Sequence, residues 1–172
     1  MKQFLRIFLD IVLWRRGPQD LPVSGMLLAL TVAAYLAVSV VQLAISGESL
    51  ANWLFYLVLD PVLLGGWTWL VLRILGHRAR FPQTASAVFG ANAVLGFLLY
   101  LPLQVLGTAV GAGQASGLAQ AAAWLQVIAF ALVTGRILKL ATDTNLFTGI
   151  MLSVTYVLLV IMVLSQLRGT GD

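Results

Sequence analysis

The amino-acid sequence predicts an all-α membrane protein with five transmembrane helices and an N-terminal amphipathic helix at the membrane interface. The composition is the first observation: 60% of the 172 residues are hydrophobic and only 9% are charged, whereas a soluble domain is about 25% charged. A soluble fold of this size leaves roughly 30% of its surface in water, so it cannot hide so many apolar side chains. The other two observations are five long apolar runs and the basic residues that flank them.

Each of the five runs approaches or exceeds the roughly 20 residues that cross a hydrocarbon core. A backbone in lipid must satisfy its own hydrogen bonds, and the runs lack the alternation of barrel strands, so each is predicted to be helical. A glycine-rich loop, 107–117, and a tight turn, 47–49, are expected between spans. The spans form one bundle over residues 18–172 and cover residues 25–45, 53–72, 84–106, 118–135 and 146–167.

The basic residues predict the orientation. Nine of the ten Lys and Arg residues lie on one side of the predicted membrane. They precede the first span, lie between the second and third spans, or lie between the fourth and fifth spans. Arg168 is the exception, on the other side. Because basic residues are retained in the cytoplasm, we expect a cytoplasmic N-terminus and a C-terminus outside.

Residues 1–17 are predicted to form the amphipathic helix. One face carries charges at four-residue spacing, from Lys2, Arg6 and Asp10. The apolar residues Phe4, Phe8, Ile11 and Trp14 fall mostly on the opposite side. The apolar stretch is too interrupted to span, and it lacks the unbroken core of a signal peptide. We expect a helix that lies in the cytoplasmic interface, with Trp14 as its anchor, and that ends at Gly17-Pro18. The alternative is a frayed cytoplasmic tail.

Asp60 is an acid in the middle of the second span, and Pro61 follows it directly. At a rise of about 1.5 Å per residue, Asp60 lies roughly 3 Å from the centre of the span. A charge at this depth costs about 2.5–3.5 kcal/mol, so we expect it to face the bundle interior and to be protonated or strongly hydrogen-bonded. Pro61 leaves the Leu57 carbonyl without a donor and predicts a kink.

Every other span carries a polar residue at a similar depth, which predicts a buried polar layer with Asp60 at its centre. Tyr56 lies one turn before Asp60 on the same face and is an expected hydrogen-bond partner. The candidate layer consists of Tyr35, Tyr56, Asp60, Asn92, Gln126, Thr155 and Tyr156.

Three roles for this layer stay open. In the first, Asp60 is a structural carboxyl that Asn92 or a tyrosine satisfies. In the second, Asp60 is part of a proton or ion relay. In the third, Asp60 is part of a ligand pocket. No catalytic residues are predicted, because no Ser/His/Asp set, His-Glu metal motif or phosphate-binding glycine loop occurs. No metal or cofactor is expected: the chain has no cysteine, and its one histidine, His77, lies in a basic loop.

The basic residues next to the spans are also candidates for contacts with anionic lipid headgroups, the alternative being that they only set the topology. Small residues at four-residue spacing, Ser86/Gly90 and Gly113/Gly117, are expected to allow close helix packing. The candidate lipid contacts are Arg15, Arg16, Arg73, Arg78, Arg80, Arg136 and Lys139.

Two segments carry a resemblance to a known family: PQDLPVS before the first span and RFPQTASAVFGANAVLGFLLYLP at the third. With the five-span layout, they resemble the bacterial members of the Yip family (Ypt-interacting-protein-like membrane proteins). Asp20-Leu21-Pro22 matches the Asp-Leu-x-Gly-Pro element of the eukaryotic branch only in part, and Gly90 represents half of its glycine-tyrosine element. The resemblance implies this fold, a non-enzymatic helper role and the bacterial inner (cytoplasmic) membrane, with the C-terminus in the periplasm.

The sequence thus favours a non-catalytic scaffold or accessory protein that contacts lipid and other membrane proteins. The alternative is a small transporter or channel that uses the layer at Asp60, and a lipid-modifying enzyme is the remote third. A nucleic-acid partner is not expected, because the basic residues form no patch interleaved with aromatics. A homo-oligomer is left open.

Overall fold

The structure of the protein is a computed structural model, and it describes residues 2–46, 50–109 and 115–169. Within these ranges there are seven α-helices and no strand, which confirms the predicted all-α class. A π-helical segment, Gly96–Tyr100, joins α4 to α5, and 3₁₀ turns lie at Pro18–Asp20 and Arg78–Arg80. The helices are α1 Lys2–Val12, α2 Gly25–Ser46, α3 Leu50–Ile74, α4 Phe81–Leu95, α5 Leu101–Ala109, α6 Ala115–Thr142 and α7 Leu146–Gly169.

Five helical segments of the described chain are long and apolar enough to cross a membrane, as predicted. They are Gly25–Ile45, Tyr56–Ile74, Arg78–Leu106, Gln120–Thr142 and Leu146–Gln166. The helix α6 continues beyond residue 135, the predicted end of the fourth span, to Thr142 and carries Arg136 and Lys139 on its last two turns. A cation in the last turn is favourable because the final carbonyls carry partial negative charge. The predicted turn at 47–49 and residues 110–114 of the predicted glycine-rich loop lie outside the described residues.

The helices connect at two ends of the bundle. We call one the basic end: it carries α1 and the α3–α4 and α6–α7 connections, with most of the Lys and Arg side chains. We call the other the distal end: it carries the last residues of α2, α5 and α7 and the first residues of α3 and α6.

Three helices end at the basic end with the same hydrogen-bond pattern. After α1, α3 and α6 comes a residue with positive φ, and the N–H of the next residue donates to a carbonyl five positions earlier, as in a Schellman motif. The positive-φ residues are Trp14 (65°), Gly76 (81°) and Asp143 (54°). Only glycine adopts this conformation freely, whereas other residues lose roughly 1–2 kcal/mol. The contacts that the side chains of Trp14 and Asp143 make must therefore offset this cost.

Those contacts tie the basic end together. The Arg136 guanidinium lies 5.5 Å from the centre of the Trp14 ring, and its Nη1 donates to the Arg16 carbonyl at 3.0 Å. Asp143 accepts a hydrogen bond from Arg80 Nη1 at 2.8 Å and lies 3.4 Å from Nε2 of His77. As a result α1 is fixed to α6, and the α3–α4 and α6–α7 connections are fixed to each other.

The central helix is α4. Every residue from Thr84 to Gly96 is buried, and the helix contacts α1, α2, α3 and α6. Small side chains on α4 allow neighbouring helices to approach closely, including the predicted pair Ser86 and Gly90, which are both buried.

The N-terminal helix packs into the bundle through one face. Phe8 and Ile11 are only 6% and 1% exposed, and the Phe8 ring fills the space that a side chain at Gly90 would occupy. The predicted end of this helix at Gly17-Pro18 is wrong: α1 ends at Val12, because the chain reverses at Trp14. Gly17 itself is extended, with a φ of −130°.

The backbones of α6 and α7 approach closely at two glycines that the sequence did not single out. A Cβ atom added to Gly135 would lie 2.8 Å from Cα of Ile150, and one added to Gly149 would lie 3.0 Å from the carbonyl carbon of Gly135. Both distances are to backbone atoms, which a rotamer change cannot move. Gly117, from the predicted small-residue pair, has open space around it, and Gly113 lies outside the described residues.

The π-helical segment has a cause in the sequence. Pro102 has no N–H to donate to the carbonyl of Leu98, and its ring would crowd that carbonyl in a regular α-helix. The wider turn of Gly96–Tyr100 precedes it, and the third span continues into α5. The Tyr100 hydroxyl donates to the carbonyl of Gln126 at 3.1 Å, which holds this segment against α6.

Candidate functional site

Asp60 lies inside the bundle and accepts hydrogen bonds from two tyrosines. Tyr35 of α2 donates to Oδ2, and Tyr156 of α7 donates to Oδ1 at 3.2 Å. Aromatic neighbours position both rings: the Tyr35 and Phe89 centroids are 5.4 Å apart, and those of Tyr156 and Phe130 are 5.5 Å apart. Each carboxylate oxygen thus has one hydroxyl donor from a different helix.

Asp60 also lines a cavity of about 300 Å³. The cavity is formed by α2, α3, α5 and α7, and on α2 its lining runs from Tyr35 to Leu43, towards the distal end. Tyr56, one turn before Asp60, lines the same cavity. Asp60 is therefore at the inner end of a cavity in the distal half of the bundle.

Most of the polar groups in this lining are hydrogen-bond acceptors or hydroxyls, and no basic side chain is among the described residues that form it. Gln104 Oε1 is buried and has no hydrogen-bond partner in the described part of the chain. Ser39 donates to the Tyr35 carbonyl at 3.0 Å. The polar lining residues are Tyr35, Ser39, Gln42, Tyr56, Asp60 and Gln104.

Ser39, Gln42 and Gln104 were missing from the predicted layer because the prediction selected residues by depth at the centre of each span. A sequence signal for two of them exists. Tyr35, Ser39 and Gln42 are spaced i, i+4 and i+7, so they share one face of α2. The polar surface at Asp60 runs along the helices towards the distal end and is not a layer at a single depth.

The basic half of the bundle is packed. One turn from Asp60, Leu64 is 1% exposed, and Phe89, Ile137 and Phe8 are also buried. These residues belong to one apolar cluster that includes Tyr156. Among the described residues, the cavity thus reaches Asp60 from the distal side and meets tightly packed side chains beyond it.

The remaining residues of the predicted layer lie apart from the Asp60 carboxyl. Asn92 is buried and donates to the Val88 carbonyl and to Oγ1 of Thr134 at 3.2 Å. Thr155 is exposed on α7, and its hydroxyl donates to the Met151 carbonyl. Gln126 accepts the Tyr100 hydroxyl through its backbone carbonyl. The predicted layer therefore separates into an Asp60 cluster and independent contacts.

Several of the residues predicted to contact lipid also have partners within the protein. Arg16 lies 3.5 Å from Asp10, and Arg80 and Arg136 make the contacts described above. The Arg73 guanidinium lies 4.8 Å from the centre of the Trp69 ring. No ion pair or hydrogen bond is found within the described chain for the other three, Arg15, Arg78 and Lys139.

The groups at this site have the chemistry to hold a guest. Asp60 is the one carboxyl in the described lining, and two tyrosine hydroxyls, which are weak acids, contact it. No group of three or more His, Cys, Asp or Glu side chains that could hold a metal ion occurs among the described residues. Carboxylate, amide oxygen and hydroxyl groups around a small cavity suit a cationic or hydrogen-bond-donating guest.

Comparisons with known proteins add no relative. No family model, no curated protein and no solved structure matches this chain.

Proposed function

We propose that this chain is a small, non-catalytic multi-pass membrane protein that binds a small cation at Asp60 and serves its transport. The observation that carries the proposal is the cavity of about 300 Å³ that ends at the Asp60 carboxyl. A scaffold needs a packed core there, whereas a binding protein needs a space that reaches the acid. Small-molecule sites begin at about this volume.

The class of guest follows from the lining. One acid, the unpaired amide oxygen of Gln104 and several hydroxyls accept hydrogen bonds or positive charge, and no basic group is among the described residues of the lining. A carboxylate attracts a cation more strongly in a site of low dielectric constant than in bulk water. A protonated small amine or a hydrated alkali ion fits this chemistry.

The basic end is assigned to the cytoplasm in this proposal, because nine of the ten Lys and Arg residues belong to it or to its connections. The cavity then lies in the outer half of the bundle. The packed layer around Leu64 and Phe89 closes the cytoplasmic side, so transport requires a second state in which this layer opens, as in alternating access.

Cysteine modification tests the cavity, because the chain has no cysteine of its own. Ser39→Cys places one thiol in the lining with little change in shape. A cationic, membrane-impermeant methanethiosulfonate applied from outside should modify it roughly tenfold faster than an anionic one, because Asp60 attracts the cation. Methylammonium in excess should slow the reaction. In Ser39→Cys/Asp60→Asn the preference for the cationic reagent should be lost.

Val58→Cys is the matched control. Val58 is on α3, 63% exposed and outside the Asp60 cavity, so neither reagent should modify its thiol in the membrane. If Ser39→Cys is inert, or if both reagents modify it equally fast with and without Asp60, the proposed cation site is wrong.

An accessory role is the second candidate, and the closed basic half favours it. The Arg80–Asp143 and Arg136–Arg16 contacts hold that end in one arrangement. This role also agrees with the resemblance to bacterial Yip-like proteins and with the five-span layout. A stable partner that co-purifies in mild detergent supports the accessory role, whereas uptake of methylammonium by proteoliposomes, lost in Asp60→Asn, supports transport.

A further inference from the structure

A second cavity lies on the other side of α3 from Asp60 and is independent of the proposed transport role. It is an apolar groove of about 490 Å³ between α2 and α3, with Phe81 and Phe89 of α4 at its base. We refer to it as the α2–α3 groove. It is lined by Leu28, Val32, Leu36, Leu57, Val58, Pro61, Val62, Gly65, Phe81 and Phe89.

The lining of the α2–α3 groove has about the depth of one leaflet on α2. It runs there from Leu28 to Leu36, which is about 12 Å at the rise of an α-helix, and half of a hydrocarbon core is about 15 Å. On α2 the groove begins close to the basic end, at the third residue beyond the start of the helix. On α3 its lining runs from Gly65 past the level of Asp60 to Leu57. An apolar recess that starts near basic residues and extends into the centre of the bundle suits an acyl chain.

Basic side chains lie where the phosphate headgroup of such a lipid would bind. The stripe of α3 that lines the groove, Val58, Val62 and Gly65, continues at helical spacing to Trp69 and Arg73. Trp69 is 41% exposed, and the Arg73 guanidinium lies over its ring, as at a membrane interface.

Arg78 adds a second cation at the same place. It is three residues before Phe81, which lines the groove, and its turn packs against α3. Arg78 is exposed and has no ion pair within the described chain, whereas nearby Arg80 is occupied by Asp143. Arg73 and Arg78 therefore place positive charge at the basic end of the groove.

We propose that the α2–α3 groove binds one anionic glycerophospholipid from the leaflet at the basic end. One acyl chain lies against Val58, Val62 and Phe89, and the phosphate headgroup lies between Arg73 and Arg78. The site differs from ordinary lipid contact in two ways: it has a recess for the chain, and it selects for headgroup charge.

Native mass spectrometry of the protein released from vesicles of equal phosphatidylglycerol and phosphatidylcholine tests this site. The wild-type protein should retain one phosphatidylglycerol. Each arginine near the surface contributes about fivefold in affinity for anionic lipid, so Arg73→Gln/Arg78→Gln should lower the retained anionic lipid by roughly 25-fold. Val62→Trp should displace both lipids by filling the groove.

Two matched controls make the test specific. Arg15→Gln removes an exposed arginine that also lacks a partner but lies away from the groove, and Val41→Trp enlarges an exposed valine outside it. Neither should change lipid retention. The proposal is overturned if the wild-type protein retains both lipids equally or if Arg15→Gln has the effect of the double variant. It is also overturned if a second copy of this protein occupies the groove, which would be seen as a dimer that Val62→Trp dissociates.

Discussion

At the scale of single residues, the energetics of Asp60 depend on its two tyrosine donors. A carboxyl near the centre of a span is costly unless its oxygens are satisfied, and Tyr35 and Tyr156 satisfy one oxygen each. The tyrosines come from α2 and α7, so the acid on α3 connects three helices. Its hydrogen bonds therefore contribute to the stability of the helix packing as well as to the site.

We expect Tyr35→Phe to lower the free energy of unfolding by about 1–3 kcal/mol, because it leaves a buried carboxylate oxygen without its donor. In an Asp60→Leu background the same substitution should be nearly neutral. Reversible unfolding in mixed micelles measures both effects and gives the coupling energy.

Tyr100→Phe is the control for this cycle. Its hydroxyl donates to the Gln126 carbonyl and not to Asp60, so it should have the same effect in both backgrounds. A Tyr35→Phe effect that is likewise unchanged by Asp60→Leu would contradict the assigned hydrogen bond.

The sequence predicted the residues of this cluster better than it predicted the layer around them. Depth along a helix can be counted from the sequence, and this placed Tyr35, Asp60 and Tyr156 at one level. The direction of a side chain cannot be counted in the same way in a span that is apolar on all sides. Thr155 and Tyr156 differ by about 100° around α7, and only Tyr156 faces Asp60, whereas Thr155 is exposed.

At the scale of helices, length and hydropathy predicted five spans because the thickness of the bilayer fixes both. Helix ends were less predictable, because the Schellman residues after α1 and α6 are Trp14 and Asp143 and not glycines. Tertiary contacts with Arg136 and Arg80 hold those two residues. The sequence alone does not show such contacts.

The crossing of α6 and α7 gives the sharpest prediction for a pair of helices. Gly149→Ala should lower the free energy of unfolding by at least about 2 kcal/mol, because its Cβ would overlap the backbone of Gly135 and push the helices apart. Unfolding in mixed micelles, with circular dichroism as the signal, measures the change.

Gly117→Ala is the matched control on α6. Its Cβ would meet nothing within 4 Å, and alanine restricts the unfolded chain, so stability should rise by about 0.4–1 kcal/mol. Equal losses for the two substitutions would show that the effect comes from glycine in a helix and not from the α6–α7 contact.

At the scale of the whole molecule, α3 separates two cavities of opposite character. Leu57 and Pro61 line both the polar cavity at Asp60 and the apolar α2–α3 groove. Pro61 removes one hydrogen bond from α3 at this position, so the helix is weakest where the two cavities are closest. A conformational change that opens the packed layer near Leu64 is most easily accommodated here.

The orientation of the bundle decides which side each cavity serves, and it yields the last prediction. Single cysteines at Gln3 and Thr170 in the cysteine-free chain should react differently with a membrane-impermeant maleimide applied to intact cells. Thr170→Cys should be labelled, because five spans place the C-terminal end of the chain opposite the basic end. Gln3→Cys should be labelled only after the membrane is permeabilised, because the positive-inside rule predicts that the basic end stays in the cytoplasm. Labelling of both positions in intact cells, or of neither, would mean an even number of crossings. That result would reject the proposed arrangement, in which the Asp60 cavity lies in the outer half of the bundle and the α2–α3 groove faces the cytoplasmic leaflet.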